Sequence, residues 1–146
     1  MDSSPVTYRL NQLIVKDFVI FDKNILTQER NFQYTIDIGF SFDEKTNSLT
    51  QTIMLSFLKK EEVFLKLILD TSFEIQQKSI EELTVNLNIR FPKNFVHHIT
   101  AVSIGALRGI ISEKTMNTSL GQLILPEINL SSIITDVVYL DISSKS

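Results

Sequence analysis

The feature that most constrains the fold is a run of strict alternation between apolar and polar residues that begins at Phe32. The intervening positions, from Gln33 to Ser41, are polar or small. Because successive side chains of a β-strand point to opposite faces, this period of two predicts a strand with one face in a core and the other in solvent. The residues on the apolar side are Phe32, Tyr34, Ile36, Ile38, Phe40 and Phe42.

Three further strands are predicted around this one. Turn-forming residues from Asp43 to Ser48 lead into a second strand at Leu49–Leu58, which completes a hairpin. Another strand is expected from Val63 to about Ile75, and an extended segment from Arg9 to Asp22 is apolar on both faces. Four antiparallel strands with short connections predict a meander that is polar on one face and needs a cover on the other.

The second half of the chain changes period. After Pro92 the apolar residues recur every three or four positions, which is the spacing of one helix face. This pattern predicts a long helix from about Lys93 to Lys114, packed on one face of the sheet as its cover. The residues that carry the pattern are Phe95, Ile99, Val102, Ala106 and Ile110.

Two stretches outside these elements are less well defined by their pattern. Ser79–Glu82 has the form of a capping box, but the alternation that follows, from Thr84 to Phe91, fits a strand equally well. The residues from Ser131 to Ile142 fit a short helix or a strand. The overall expectation is a single α+β domain over residues 1–146, because the length suits one core.

Composition excludes several classes of function. The 146 residues include no cysteine, so a disulfide framework, a thiolate metal site and a cysteine nucleophile are ruled out. A net charge of −3 gives no basic footprint for nucleic acid. The N-terminus, MDSSPVTYRL, lacks the pattern of a secretory signal, and no run approaches the roughly 18 apolar residues of a membrane helix. We therefore expect a cytoplasmic protein that does not span a membrane.

The chain offers little catalytic chemistry. His97 and His98 are adjacent, so on a helix they point about 100° apart and cannot bind one metal ion from the same face. The four glycines form no phosphate-binding loop. Arg108, in the middle of the apolar helix, is expected either to extend to solvent or to pair with a buried carboxylate. No enzyme activity, metal or cofactor is expected.

Four antiparallel strands followed by a long helix resemble the SecB family of protein-export chaperones. Leu107-Arg108-Gly109 is similar to the family's arginine on this helix, and the segment from Leu123 to Leu130 is similar to the family segment that leads into its second helix. Only sixteen residues follow Leu130, so the second, C-terminal helix must be short. The matching positions in the segment are Leu123, Leu125, Pro126 and Asn129.

The resemblance implies an ATP-independent chaperone, or holdase, that binds unfolded or preprotein polypeptides through apolar grooves. It would act in protein export or on a dedicated client such as an antitoxin, with the SecA motor or a toxin–antitoxin component as a partner. Exposed apolar grooves also favour self-association, so a homodimer or homotetramer is expected. The candidate polypeptide-binding residues are Phe18, Phe73, Ile75, Ile128, Leu130, Ile133 and Ile134.

Two other functions fit the sequence less well. Ten of the thirteen aromatic residues are phenylalanine, which suits a carrier of a small apolar ligand with a pocket between helix and sheet. An enzyme would rest only on scattered acidic residues and the two histidines. The chaperone and the carrier therefore remain the hypotheses that the structure has to separate.

Overall fold

Four long strands and one long helix make up most of the chain that the computed structural model describes, which comprises residues 6–21, 32–118, 120–133 and 138–141. The long strands are β1 (Tyr8–Ile20), β2 (Gln33–Asp43), β3 (Ser48–Lys59) and β4 (Glu62–Ile75). They are followed by α1 (Gln77–Leu83), β5 (Thr84–Val85), β6 (Asn88–Phe91), α2 (Lys93–Thr115), α3 (Leu130–Ile133) and β7 (Val138–Asp141). The predicted α+β class is confirmed, with a four-stranded antiparallel sheet, a long helix and a short second helix.

The long strands do not follow the order of a simple meander. Their order in the sheet is β1-β4-β3-β2, so β1 lies against β4, with Tyr8 opposite Ile75 and Ile20 opposite Leu65. The predicted meander holds for β2, β3 and β4 and is wrong for β1. The reason is the connection from Ile20 to Gln33, which is far longer than the loop of about two to five residues that joins hairpin strands.

The side chains of β2 and β3 alternate between a more buried and a more exposed face of the sheet, as the sequence predicted for β2. Along β2 the even-numbered residues are half-buried or buried, and the odd-numbered residues between them are exposed. The face of the sheet that carries these inner residues is the one that α2 covers. On β3 the inner residues are all buried: Leu49, Gln51, Ile53, Leu55 and Phe57.

The residues from Thr84 to Phe91, for which helix and strand were both open, form a short hairpin. Strand β5 pairs with β6 through a turn in which Asn86 has a φ of 58°. Ile89 and Phe91 are buried, whereas Val85 and Leu87 near the turn are exposed. Strand β6 also pairs with β7, which gives a second, three-stranded sheet of order β5-β6-β7 that the sequence did not predict.

Helix α2 begins at the predicted residue and ends one residue beyond the predicted end. By length and mean hydropathy alone it would also qualify as a membrane-crossing helix. Its most buried positions, such as Ile99, Leu107 and Ile111, nevertheless belong to the core that α2 forms with the sheet. The apolar face of α2 is therefore occupied by the protein's own strands.

The core consists of two apolar clusters with polar residues between them. One cluster contains Ile53, Leu69 and Ile104, and the other contains Leu49, Phe73 and Ile99. Along β3, β4 and α2 the positions between the clusters are occupied by four fully buried polar residues. We refer to them as the polar seam: Gln51, Thr71, Thr100 and Ser103.

Candidate functional site

Contacts at both ends of strand β1 and helix α2 show that the two elements run side by side. Tyr8 at the start of β1 lies edge-on to Phe95 and His98 at the start of α2, with ring centroids 5.1 and 6.1 Å apart. Near the other end of both elements, the Lys114 ammonium lies 5.2 Å from the centre of the Phe18 ring. One flank of α2 therefore faces β1 along most of its length.

Between these two contacts, β1 leaves apolar side chains exposed. Leu10 and Leu13 are 46% and 44% exposed, although they lie opposite Phe73 and Thr71, whose side chains are buried beneath α2. Both leucines therefore lie on the inner side of the sheet, at an edge that α2 does not cover. Three half-buried residues of α2, spaced four apart, lie on the flank of the helix towards β1. Together with the two leucines of β1 they form what we call the β1–α2 face: Leu10, Leu13, Val102, Ala106 and Ile110.

Two irregularities in β1 break the alternation of its side chains. Strict alternation along this segment would place Leu13 and Val15 on one face and Phe18 on the other. The register against β4 shifts between Leu10 and Gln12 and again between Val15 and Asp17. Each shift inserts an extra residue and reverses the alternation beyond it, so Phe18 lies on the same inner face as Val15.

The opposite flank of α2 holds the segment that follows it. Arg108 donates from Nε to the carbonyl oxygen of Leu125 and from Nη2 to that of Pro126, both at 3.1 Å. The buried hydroxyl of Thr115 accepts a hydrogen bond of 2.8 Å from the amide of Leu123. These bonds place residues 120–133 on the flank away from β1. Arg108 therefore binds two backbone carbonyls, partners that neither expected alternative, solvent or a buried carboxylate, included.

The segment ends in a capped turn of helix. Asn129 accepts a hydrogen bond of 3.0 Å from the Ser131 amide through its side chain, and its carbonyl oxygen accepts from the Ser132 hydroxyl at 2.7 Å. An asparagine in this role is a common helix start. The capped turn positions Leu130 and Ile133, and both side chains are partly buried against the core.

A second apolar surface lies on the side of α2 towards β2. The inner side chains of β2 are only half-buried, and so are the apolar residues of the segment that Arg108 holds. We call this surface the β2 face. It comprises Tyr34, Ile36, Ile38, Phe40, Ile128, Leu130 and Ile133.

The structure divides the candidate binding residues into three groups. Phe73 and Ile75 are fully buried between the sheet and its cover, so they are core residues, and their interpretation as groove residues is corrected. The reason is that both continue the inward-facing alternation of β4 to its last residue. Phe18 lies beside the β1–α2 face, whereas Ile128, Leu130 and Ile133 belong to the β2 face. Ile134 lies outside the described residues.

Leu10 and Leu13, the most exposed apolar residues of the β1–α2 face, were not among the predicted binding residues. A signal was present, because the first strand is apolar on both faces. A strand with two apolar faces either lies inside a sheet covered on both sides or presents one face to a partner. The inner residues of β2 were assigned to the core, and the structure leaves four of them half-buried.

Charged and titratable groups play a small part in these surfaces. Burial raises the pKa of Tyr8 above its ordinary value of 10. Arg9 and Glu74 form an ion pair with a nitrogen–oxygen distance of 2.7 Å, on the outer side of the sheet. Within the described part of the chain, no three histidine or acidic side chains come together as metal ligands would. The surfaces are therefore suited to apolar contact.

Comparison with known proteins shows that this chain resembles solved structures in fold. No family model and no curated protein matches the sequence. A solved structure of the Mycobacterium tuberculosis Rv1957 SecB-like chaperone, in complex with a ChAD peptide from the Rv1956 HigA1 antitoxin, matches with a TM-score of 0.55 and 9% identity, over 84% of this chain and 88% of that one. A Streptococcus agalactiae protein of unknown function matches with a TM-score of 0.43 and 15% identity, over 85% of this chain and 100% of that one. The chain therefore has the α+β fold of a SecB-like chaperone.

Proposed function

We propose that the protein is an ATP-independent chaperone that binds extended, unfolded polypeptide through the β2 face. The observation that carries this proposal is a row of half-buried apolar side chains on β2, together with half-buried apolar residues between positions 128 and 133 that pack against the same core clusters. Such a surface accepts apolar side chains of a client without reading its sequence, and it needs no nucleotide and no catalytic group. The fold likeness to a chaperone solved with a bound peptide supports the same role.

The proposed client is an apolar segment of a dedicated partner, such as an antitoxin, in the cytoplasm. The peptide in the neighbouring structure comes from an antitoxin, which favours this client class over general protein export. Association with the SecA motor would instead support the role in export.

A client aggregation assay without ATP tests the proposal. We expect the protein to suppress aggregation of an unfolded client at stoichiometric amounts. Losing two half-buried side chains removes about 1.5 kcal/mol or more of apolar contact. The double variant Ile128→Ser/Leu130→Ser should therefore need a roughly tenfold higher concentration for the same suppression.

The matched control is Leu87→Ser. Leu87 is 59% exposed at the turn between β5 and β6, outside the β2 face, so this variant should suppress aggregation as the wild type does. Urea unfolding of both variants would separate weaker binding from lost folding. Absence of suppression by the wild-type protein at stoichiometric amounts would count against the chaperone function.

We also propose that the protein forms a homodimer through the β1–α2 face. Among the described residues β1 is an edge strand, and this face combines that edge with exposed leucines, an arrangement that favours association. The double variant Leu10→Glu/Leu13→Glu should sediment as a monomer at concentrations where the wild type is a homodimer. Ile14→Glu is the matched control, because Ile14 lies opposite Asp70 on the other side of the sheet and should leave the assembly intact. A wild-type protein that sediments as a monomer would contradict the proposal.

Within residues 6–21, 32–118, 120–133 and 138–141, the carrier hypothesis gains no comparable observation. Two cavities, of about 380 and 460 Å³, lie at the end of the sheet near Asn47 and Gln77. The interface between α2 and the sheet, where the carrier's pocket was expected, is occupied by the buried side chains of the two core clusters. The chaperone is therefore the function that the geometry supports best.

A further inference from the structure

The polar seam leaves three polar atoms without a hydrogen-bond partner among the described residues. They are Gln51 Oε1, Thr71 Oγ1 and Ser103 Oγ, and all three residues are fully buried. Buried polar groups in folded proteins nearly always bond to protein or to ordered water, because an unpaired group loses its bonds to solvent without compensation. Three such atoms in one part of a small core therefore need a common explanation.

Two of the three atoms belong to paired strand residues, and the third belongs to the helix that covers these strands. Gln51 and Thr71 are directly opposite on β3 and β4, and their side chains point to the inner side of the sheet. Thr100 on α2 accepts a hydrogen bond of 2.7 Å from Gln51 Nε2. This bond shows that the part of α2 around Thr100 lies above the pair of strand residues. Ser103 is three residues further along α2, about 60° around the helix from Thr100. It therefore faces the same place on the sheet.

The Ser103 hydroxyl differs from the other buried hydroxyls of α2. Thr100 and Thr115 both donate to a carbonyl oxygen four residues earlier in the helix, at 2.6 and 2.7 Å. Ser103 makes no such bond within the described residues. Its hydroxyl remains available to a group between α2 and the sheet.

The chemistry of the three atoms matches one small ligand. Gln51 Oε1 only accepts, whereas the hydroxyls of Thr71 and Ser103 each donate and accept. A buried water molecule typically makes about three hydrogen bonds to groups of this kind. We propose that the polar seam binds an ordered water molecule that donates to Gln51 Oε1 and bonds to both hydroxyls, and so joins α2 to the sheet.

Water has a short route to this position. Leu13 lies opposite Thr71 on the edge strand β1 and is 44% exposed, so the seam borders the β1–α2 face directly. This site is independent of the client-binding role.

The direction in which Thr71→Val changes the urea midpoint of unfolding tests the proposal. Valine keeps the branched shape of threonine and removes the hydroxyl. If water bonds to Thr71 Oγ1, Thr71→Val takes a partner from that water, and the urea midpoint should fall. If the hydroxyl is unpaired, its removal relieves an unfavourable burial, and the midpoint should rise. A rise or an unchanged midpoint overturns the proposal.

A count of long-lived water molecules by oxygen-17 relaxation dispersion gives a second readout. The triple variant Gln51→Leu/Thr71→Val/Ser103→Ala should lose at least one such water relative to the wild type. Thr115→Val is the control, because its hydroxyl bonds to protein groups at both Ile111 and Leu123. It should lower the midpoint and leave the count unchanged. An equal count in the triple variant and the wild type overturns the proposal.

Discussion

Replacing Phe73 by alanine is expected to lower the free energy of unfolding by about 3–5 kcal/mol. The Phe73 side chain is fully buried in β4, between Leu10 of β1 and Leu49 of β3, and its ring centroid lies 5.8 Å from that of Tyr8. Removing the ring leaves a cavity that the paired strands on both sides prevent from closing. Because small domains have a total stability of only about 5–15 kcal/mol, the variant should be close to unfolding at physiological temperature.

Urea unfolding measures this change as a lower midpoint with an unchanged slope. Phe18→Ala is the comparison, because Phe18 is half-buried at the edge of the sheet and its loss should cost distinctly less. A Phe73→Ala variant of unchanged stability that no longer suppresses client aggregation would reverse the assignment and return Phe73 to the binding surface.

Replacing Arg108 by alanine should loosen the attachment of residues 120–133 to α2, although the bond from the Leu123 amide to Thr115 remains. The two bonds from Arg108 to the carbonyl oxygens of Leu125 and Pro126 are made by a charged donor, and such bonds are worth about 1.5–3 kcal/mol each. Arg108 is only partly buried, so we expect the free energy of unfolding to fall by a total near the lower end of that range. Amide hydrogen exchange should become faster in residues 120–133 and stay unchanged in β3 and β4.

Arg108→Lys is the matched variant for this measurement. Lysine keeps the charge but lacks the planar fork that reaches two acceptors at once, so it should recover no more than part of the lost protection. Because the segment carries Ile128 and Leu130, Arg108→Ala should also weaken suppression of client aggregation. Exchange in residues 120–133 that is identical in the wild type and in both variants would contradict the anchoring role.

The periodic parts of the fold were predictable from the sequence. β2 and α2 have one apolar face each, and a period of two or 3.6 defines both the type of element and the face that is buried. The bounds predicted for α2 agree with the structure to within one residue. Strand β1 was predicted as a strand, but strict alternation would place Phe18 on the wrong face, because the bulges after Leu10 and Val15 are not marked by glycine or proline. Its place beside β4 depends on a long connection, which local patterns do not encode.

The candidate site was predictable only in part. Whether an apolar side chain is core or surface depends on which flank of the sheet the helix covers, and this is a property of the packed molecule. Phe73 is buried because α2 starts above that end of the sheet, whereas Leu10, directly opposite it on β1, is nearly half exposed. No local pattern distinguishes these two residues, since both are apolar residues on predicted strands.

The bonds from Arg108 have a consequence for how such a chain can vary. They end on carbonyl oxygens, which every amino acid possesses, so the side chains of Leu125 and Pro126 take no part in them. Exchanging Pro126 for another residue should leave its bond to Arg108 in place, whereas inserting or deleting one residue between Leu123 and Leu125 would move both acceptors out of reach. The spacing of this segment is therefore more tightly constrained than its composition, and proteins can share the arrangement with very few residues in common.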